Sequence, residues 1–85
     1  MPTIGTFKGI QFRIHQEKGM RHNLEHIHAR YGNESAQIGL DGEMINGNLK
    51  PQQQRDSKEW TLKNRDEILQ AWNDLLDGKM PTRID

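Results

Sequence analysis

Two short turns, Gly32-Asn33 and Asp41-Gly42, constrain this chain more than anything else in it. Each suits a two-residue hairpin loop, because glycine, asparagine and aspartate tolerate the positive φ that such loops demand. The runs beside them alternate. Ile27, Ala29 and Tyr31 share one parity before the first turn, Ala36, Ile38 and Leu40 share one after it, and Ile45, Gly47 and Leu49 are in phase beyond the second. Successive strand side chains point to opposite faces, so each run has an apolar side and a polar side.

Turn chemistry and alternation agree with each other. A two-residue loop at Gly32-Asn33 pairs Tyr31 with Glu34, Ala29 with Ala36 and Ile27 with Ile38. A two-residue loop at Asp41-Gly42 pairs Leu40 with Glu43 and Ile38 with Ile45. Directly opposed residues share a face, so both turns gather the apolar residues on one side without a register slip. The expectation is an antiparallel meander over about 26–31, 34–40 and 43–49. Residues 8–15 alternate too, with Ile10, Phe12 and Ile14 against Gln11, Arg13 and His15, and are expected as a neighbouring strand. Ile4 suggests a short strand before it, interrupted by Gly5 and Gly9. Residues 16–24 follow no period and read as a loop.

From Pro51 the period changes. Proline is favourable at a first helical position, and residues 51–63 read as a helix whose first two turns are polar, leaving Trp60 and Leu62 as its anchors. Asn64 with Glu67 three residues on is a variant capping box. It opens a second helix, about 65–77, with Ile68, Leu69, Trp72, Leu75 and Leu76 along one stripe. Gly78 suits the helix stop, and 79–85 form a tail. Strands first and helices after indicate an α+β fold: a three- to four-stranded antiparallel meander with one or two C-terminal helices packed on one face. Trp72 and Leu69 are expected against Ile27, Ile38, Ile45 and Phe12.

The 85 residues are expected to form a single domain, 1–85, with a small core. The absence of cysteine excludes disulfides, cysteine zinc sites and thiol nucleophiles. Twelve Lys+Arg balance twelve Asp+Glu, so net charge gives no case for nucleic acid and any basic patch must be local. The chain's start lacks the pattern of a signal peptide, and no apolar run reaches the ~18 residues of a membrane span. A cytoplasmic, non-membrane protein is the expectation.

With helices over one face, the other carries Gln11, Arg13, His15, His26, His28, Arg30, Ser35 and Gln37, with His28 opposite Gln37 and Arg30 opposite Ser35. A half-buried antiparallel sheet shows polar residues on its wet side by default. These residues also have chemistry. Histidine moves protons near neutral pH, and arginine grips phosphate or carboxylate with two parallel bonds. His26, His28 and Arg30 are therefore the candidate catalytic residues, and Arg13, His15 and Gln37 the candidate binding residues. A second reading makes His22, His26 and His28 ligands of a divalent metal, since three histidines with an open position are a zinc arrangement; otherwise no cofactor is expected. Gly5 and Gly9 are not a phosphate loop, and Ser35 and Ser57 have no base nearby in sequence. Trp60 and Trp72, twelve apart, read as core.

The opening Met1-Pro2-Thr3-Ile4-Gly5-Thr6-Phe7-Lys8-Gly9-Ile10, the segment His22…His26-Ile27-His28…Tyr31-Gly32, and Trp60 with Arg65-Asp66-Glu67-Ile68-Leu69-Gln70-Ala71-Trp72 resemble a small prokaryotic domain family of unknown function, numbered four-one-six-zero. Leu24-Glu25 stands where that family has two prolines, and Ala29 where it has valine. The resemblance implies a gene pair of toxin–antitoxin type, with a small cognate protein from a neighbouring gene as partner, and RNA as a second candidate partner, by association alone. Three functions are set against one another: an interaction component of such a pair, a small RNase-like toxin using strand histidines as acid and base, and a histidine-based metal-binding domain. Edge strands in so small a sheet also offer a homodimer contact.

Overall fold

The chain begins with a tight hairpin. In the computed structural model, which describes residues 3–14 and 26–84, β1 (Thr3–Phe7) and β2 (Ile10–Arg13) are joined by Lys8 and Gly9, both at positive φ (+49° and +81°). Such a turn matches the right-handed twist of paired strands. The strand expected over 8–15 is thus shorter, because its first two residues form the turn, and Ile4 belongs to a strand of its own. Next come β3 (His26–Tyr31), β4 (Glu34–Gly39), β5 (Met44–Gly47), α1 (Pro51–Lys63) and α2 (Arg65–Leu76). The sheet runs in the order β1-β2-β3-β4-β5 with every neighbouring pair antiparallel. The fold is α+β, with five strands where three or four were expected.

The first turn behaves as its residues dictate. Gly32 has φ +60°, and β3 pairs with β4 as Tyr31↔Glu34, Ala29↔Ala36 and Ile27↔Ile38. The second does not. Asp41 Oδ1 accepts the Glu43 N–H at 3.0 Å, Gly42 N–H donates to Gly39 O, and Gly39 N–H donates to Glu43 O. The connection is therefore longer than two residues, and a register shift follows between Gln37 and Ile38. Ile38 faces Met44 and Gln37 faces Asn46, so Ile45 is not opposite Ile38 and is 54% exposed. One residue of slip is enough to turn a side chain to the other face.

One face of the sheet is buried by Ile10, Phe12, Ile14, Ile27, Ala29, Ala36 and Ile38, joined by Ile4, Leu40 and Leu49. Phe12, Ala29, Ala36 and Gly47 form one row across four strands. Small residues beside the single phenyl ring leave room for an indole, and Trp60 of α1 stacks there, 4.0 Å from Phe12 at an interplanar angle of 2°. Ser57, one turn before Trp60, and Thr61, the residue after it, are fully buried, while Leu62 is 48% exposed. Leu62 is therefore not the second anchor of α1: the helix is phased on Trp60, and small hydroxyl residues let it approach the sheet. A Lys8–Asp56 ion pair at 3.6 Å ties the β1–β2 turn to α1.

The helices meet at Asn64. Its side chain makes no N-cap bond for α2; instead Nδ2 donates to Trp60 O at 3.0 Å and closes the end of α1. Asp66 and Glu67 complement the α2 dipole from its first turn. Ile68, Ala71 and Trp72 are buried, Leu69 and Leu75 partly so, and Leu76 faces solvent. Gly78 stops α2 at φ +75°, with Lys79 N–H donating to Asp74 O and Gly78 N–H to Leu75 O, the paired bonds of a left-handed helix end. The tail then returns to β1, where Ile84 N–H donates to Ile4 O at 2.7 Å. Tyr31, expected inward, is 39% exposed; its ring lies over Gly9, whose missing side chain leaves it space.

Candidate functional site

The register fixes which side chains share the face opposite the core. Arg13↔His28, His28↔Gln37 and Gln37↔Asn46 make one row across β2, β3, β4 and β5. Gln11↔Arg30 and Arg30↔Ser35 make the next. The pairings His28–Gln37 and Arg30–Ser35 are those the sequence implies. Asn46 completes the row opposite Gln37, the pairing that the Asp41-Gly42 turn also implies; the register shift displaces Ile45 and leaves Asn46 in place.

The rows enclose two shallow hollows that meet at His28 and Ser35. One, of about 370 Å³, is lined by Arg13, His28, Ala29, Arg30, Asn33 and Ser35. The other, of about 230 Å³, lies beside Gln37 and Asn46. Arg13 is held in part by Gln11, Nη2 to Oε1 at 3.3 Å, and Arg30 by the β3–β4 turn, Nε to Gly32 O at 3.2 Å. Each bond uses one of the five donors of a guanidinium. Neither row contains a carboxylate. Asp41 lies beyond their end, where a side chain on Gly39 would sit 2.9 Å from its Oδ1. Among the described residues, these two rows thus hold two arginines, a histidine and no carboxylate.

His26 differs from its expected setting. It starts β3 opposite Gly39, and its ring is 5.3 Å from that of His28. It is only 3% exposed, however, and Trp72 of α2 lies 5.6 Å away at 58°. Trp72 belongs to the same buried cluster as Ile27, Ile38 and Phe12 and also reaches His26, while Trp60 stacks on Phe12 and Ile45 lies outside the core. Of the two strand histidines, His28 is the one that lines the hollows. His15 and His22 lie outside the described residues. Among the described residues no three His, Cys, Asp or Glu come together as a metal site would require, and no helix is long and apolar enough to cross a membrane.

The arrangement offers two guanidinium forks, one imidazole and several amides on a nearly flat surface. Such a set recognises a planar anionic group, carboxylate or phosphate, and orients it by paired hydrogen bonds. No curated protein and no solved structure matches the chain significantly. Residues 9–73 match the family described as a domain of unknown function, DUF4160, and with most of its length covered the chain belongs to that family.

Proposed function

We propose that this domain is the interaction component of a toxin–antitoxin-like gene pair in the cytoplasm, and that the open sheet face receives a small cognate protein. The supporting observation is that Arg13, across from His28 on β2, and Arg30, two residues along β3, stand in two rows that hold no carboxylate. A partner surface rich in Asp and Glu fits this face. Charge complementarity of this kind acts mainly on specificity and association rate. The gene-pair part of the reading comes from the family resemblance alone.

Co-expression with the product of the adjacent gene tests it. Wild-type protein is expected to capture that product, and the double variant Arg13→Glu, Arg30→Glu to lose it while keeping its circular dichroism spectrum. Capture undiminished by the double reversal removes the open face from the interaction.

The RNase-like reading stands second, favoured by the 5.3 Å separation of the His26 and His28 rings. The burial of His26 under Trp72 weighs against it, since an acid–base pair needs both groups within hydrogen-bond reach of the substrate. RNA cleavage that survives a joint His26→Ala, His28→Ala change ends that reading. A divalent metal held by His22, His26 and His28 is the third; metal analysis of untagged protein at less than one equivalent rules it out.

A further inference from the structure

Arg13 and Arg30 line the same hollow. Arg13 pairs with His28, and Arg30 lies two residues further along β3, so the two arginines are diagonal neighbours, their backbones about 7–8 Å apart. At that spacing two long side chains can reach one group. Elsewhere the protein answers its cations with acids: Lys8 pairs with Asp56 and Lys58 with Glu43. Among the described residues Arg13 and Arg30 have no such partner. Each is anchored through a single nitrogen, Nη2 of Arg13 on Gln11 and Nε of Arg30 on Gly32. Arg13 Nε is enclosed and bonds to nothing among the described residues. An enclosed donor left unbonded costs free energy, so the protein's own groups do not complete the bonding of this guanidinium.

Charge and acceptor count select the anion. A carboxylate has one charge and is filled by one guanidinium fork, which leaves the second arginine uncompensated beside it. A phosphate monoester carries a charge of about −1.5 to −2 at neutral pH and three acceptor oxygens, which suits two forks. Asn33 and Ser35 line the same hollow and supply an amide and a hydroxyl donor. Its volume of about 370 Å³ lies at the low end of the ~300–1,000 Å³ of small-ligand sites. The second hollow continues from it through His28 and Ser35 to Gln37 and Asn46. We propose that Arg13 and Arg30 together bind the phosphate of a small-molecule phosphate monoester, with Asn33 and Ser35 on its oxygens and its organic part directed toward the amides of Gln37 and Asn46. The site lies within the open face but needs no second protein, so it stands or falls separately from partner capture.

Ligand titration of the full chain, followed by amide NMR in a phosphate-free buffer at constant ionic strength, tests the site. The probes are adenosine 5′-monophosphate and ribose 5-phosphate, with dimethyl phosphate and acetate as singly charged comparisons. Both monoesters are expected to bind saturably, to shift the amides of β2, β3 and the β3–β4 turn together with the side-chain amides of Gln37 and Asn46, and to bind about tenfold or more tighter than either comparison. Tighter binding of the adenosine ester identifies a nucleotide as the ligand; equal binding identifies a sugar phosphate. Arg13→Gln and Arg30→Gln are each expected to weaken both monoesters by about tenfold or more with spectral dispersion retained, and Lys58→Gln, a cation outside the hollow, to leave binding unchanged. Absence of saturable shifts at millimolar monoester, acetate or dimethyl phosphate binding as tightly as the monoesters, or an equal loss from Lys58→Gln overturns the proposal.

Discussion

Replacing Trp60 with alanine probes the centre of the fold. The indole is buried and stacks on Phe12 at 4.0 Å, over a row whose other members are two alanines and a glycine. None of those neighbours can move a side chain into the vacated space, so the hole stays open. Trp→Ala substitutions in cores cost about 3–5 kcal/mol, more where the site cannot collapse, and about 0.5–1.5 kcal/mol of that reflects the aromatic pair. A domain of 85 residues has a total stability of about 4–13 kcal/mol, so the change removes about a quarter of it or more. Urea unfolding followed by far-ultraviolet circular dichroism measures the loss. With a slope of about 1–1.5 kcal/mol/M for a small domain, the midpoint falls by about 2–5 M. Leu62→Ala is the control, because Leu62 is half exposed two residues away, and its midpoint is expected to stay within about 0.5 kcal/mol of wild type. If Leu62→Ala costs as much as Trp60→Ala, α1 is rotated relative to the sheet and the packing described above is wrong.

The buried hydroxyls of Ser57 and Thr61 have no hydrogen-bond partner. Thr61→Val is therefore expected to stabilise the domain by about 1 kcal/mol in the same titration, by removing an unsatisfied polar group at constant shape. Gly47→Ala is expected to unfold the protein or cost over 2 kcal/mol of stability, roughly, since φ is +129° and the new methyl would lie 2.4 Å from Ala36 Cα; Gly78→Ala, with open space around it, is expected to cost only about 1 kcal/mol. The ammonium of Lys58, bonded to Glu43, has its pKa raised chiefly by that hydrogen bond and then by the carboxylate's charge. A cation with a raised folded-state pKa contributes in full below its unfolded pKa and stops contributing as pH rises through the folded one. Any difference in melting temperature between wild type and Lys58→Met is therefore expected to persist at neutral pH and vanish only in strongly alkaline buffer. Being fully exposed, the pair is also expected to weaken with added salt.

How far the fold can be read from the sequence depends on where local chemistry acts alone. At Gly32-Asn33 the loop keeps its two residues, and the entire β3–β4 register follows from the pattern. At Asp41 a carboxylate takes a backbone N–H, the loop lengthens, and Ile45 changes sides. The same competition appears at Asn64, where the side chain chooses the preceding helix over the following one. Short polar side chains can satisfy more than one backbone geometry, and composition does not say which. In α1 the apolar content is too low to fix a phase. Trp60 sets it through Phe12, and with it Ser57 and Thr61 are carried inward and Leu62 outward, which is a tertiary choice.

The candidate site follows the same logic. Arg13, His28, Arg30, Ser35 and Gln37 share a face because alternation and one reliable turn require it. Alternation likewise gives His26 the parity of His28, but parity says which side a residue takes and not what else arrives there. A helix more than forty residues downstream brings Trp72 against His26. The structure separates two histidines that the sequence presents as equals: one enclosed beside an indole, the other lining a hollow with two arginines. Changing them one at a time therefore measures different things. His28→Ala, at a partly exposed position, is expected to cost less stability than His26→Ala, about 1 kcal/mol or under, and to weaken capture of an anionic partner. His26→Ala removes a buried ring from a contact with Trp72 and is expected to lower stability by about 1–3 kcal/mol while leaving capture by the folded fraction intact. Equal effects of the two substitutions on both readouts would mean that the histidines form one site after all, and would return His26 to the surface.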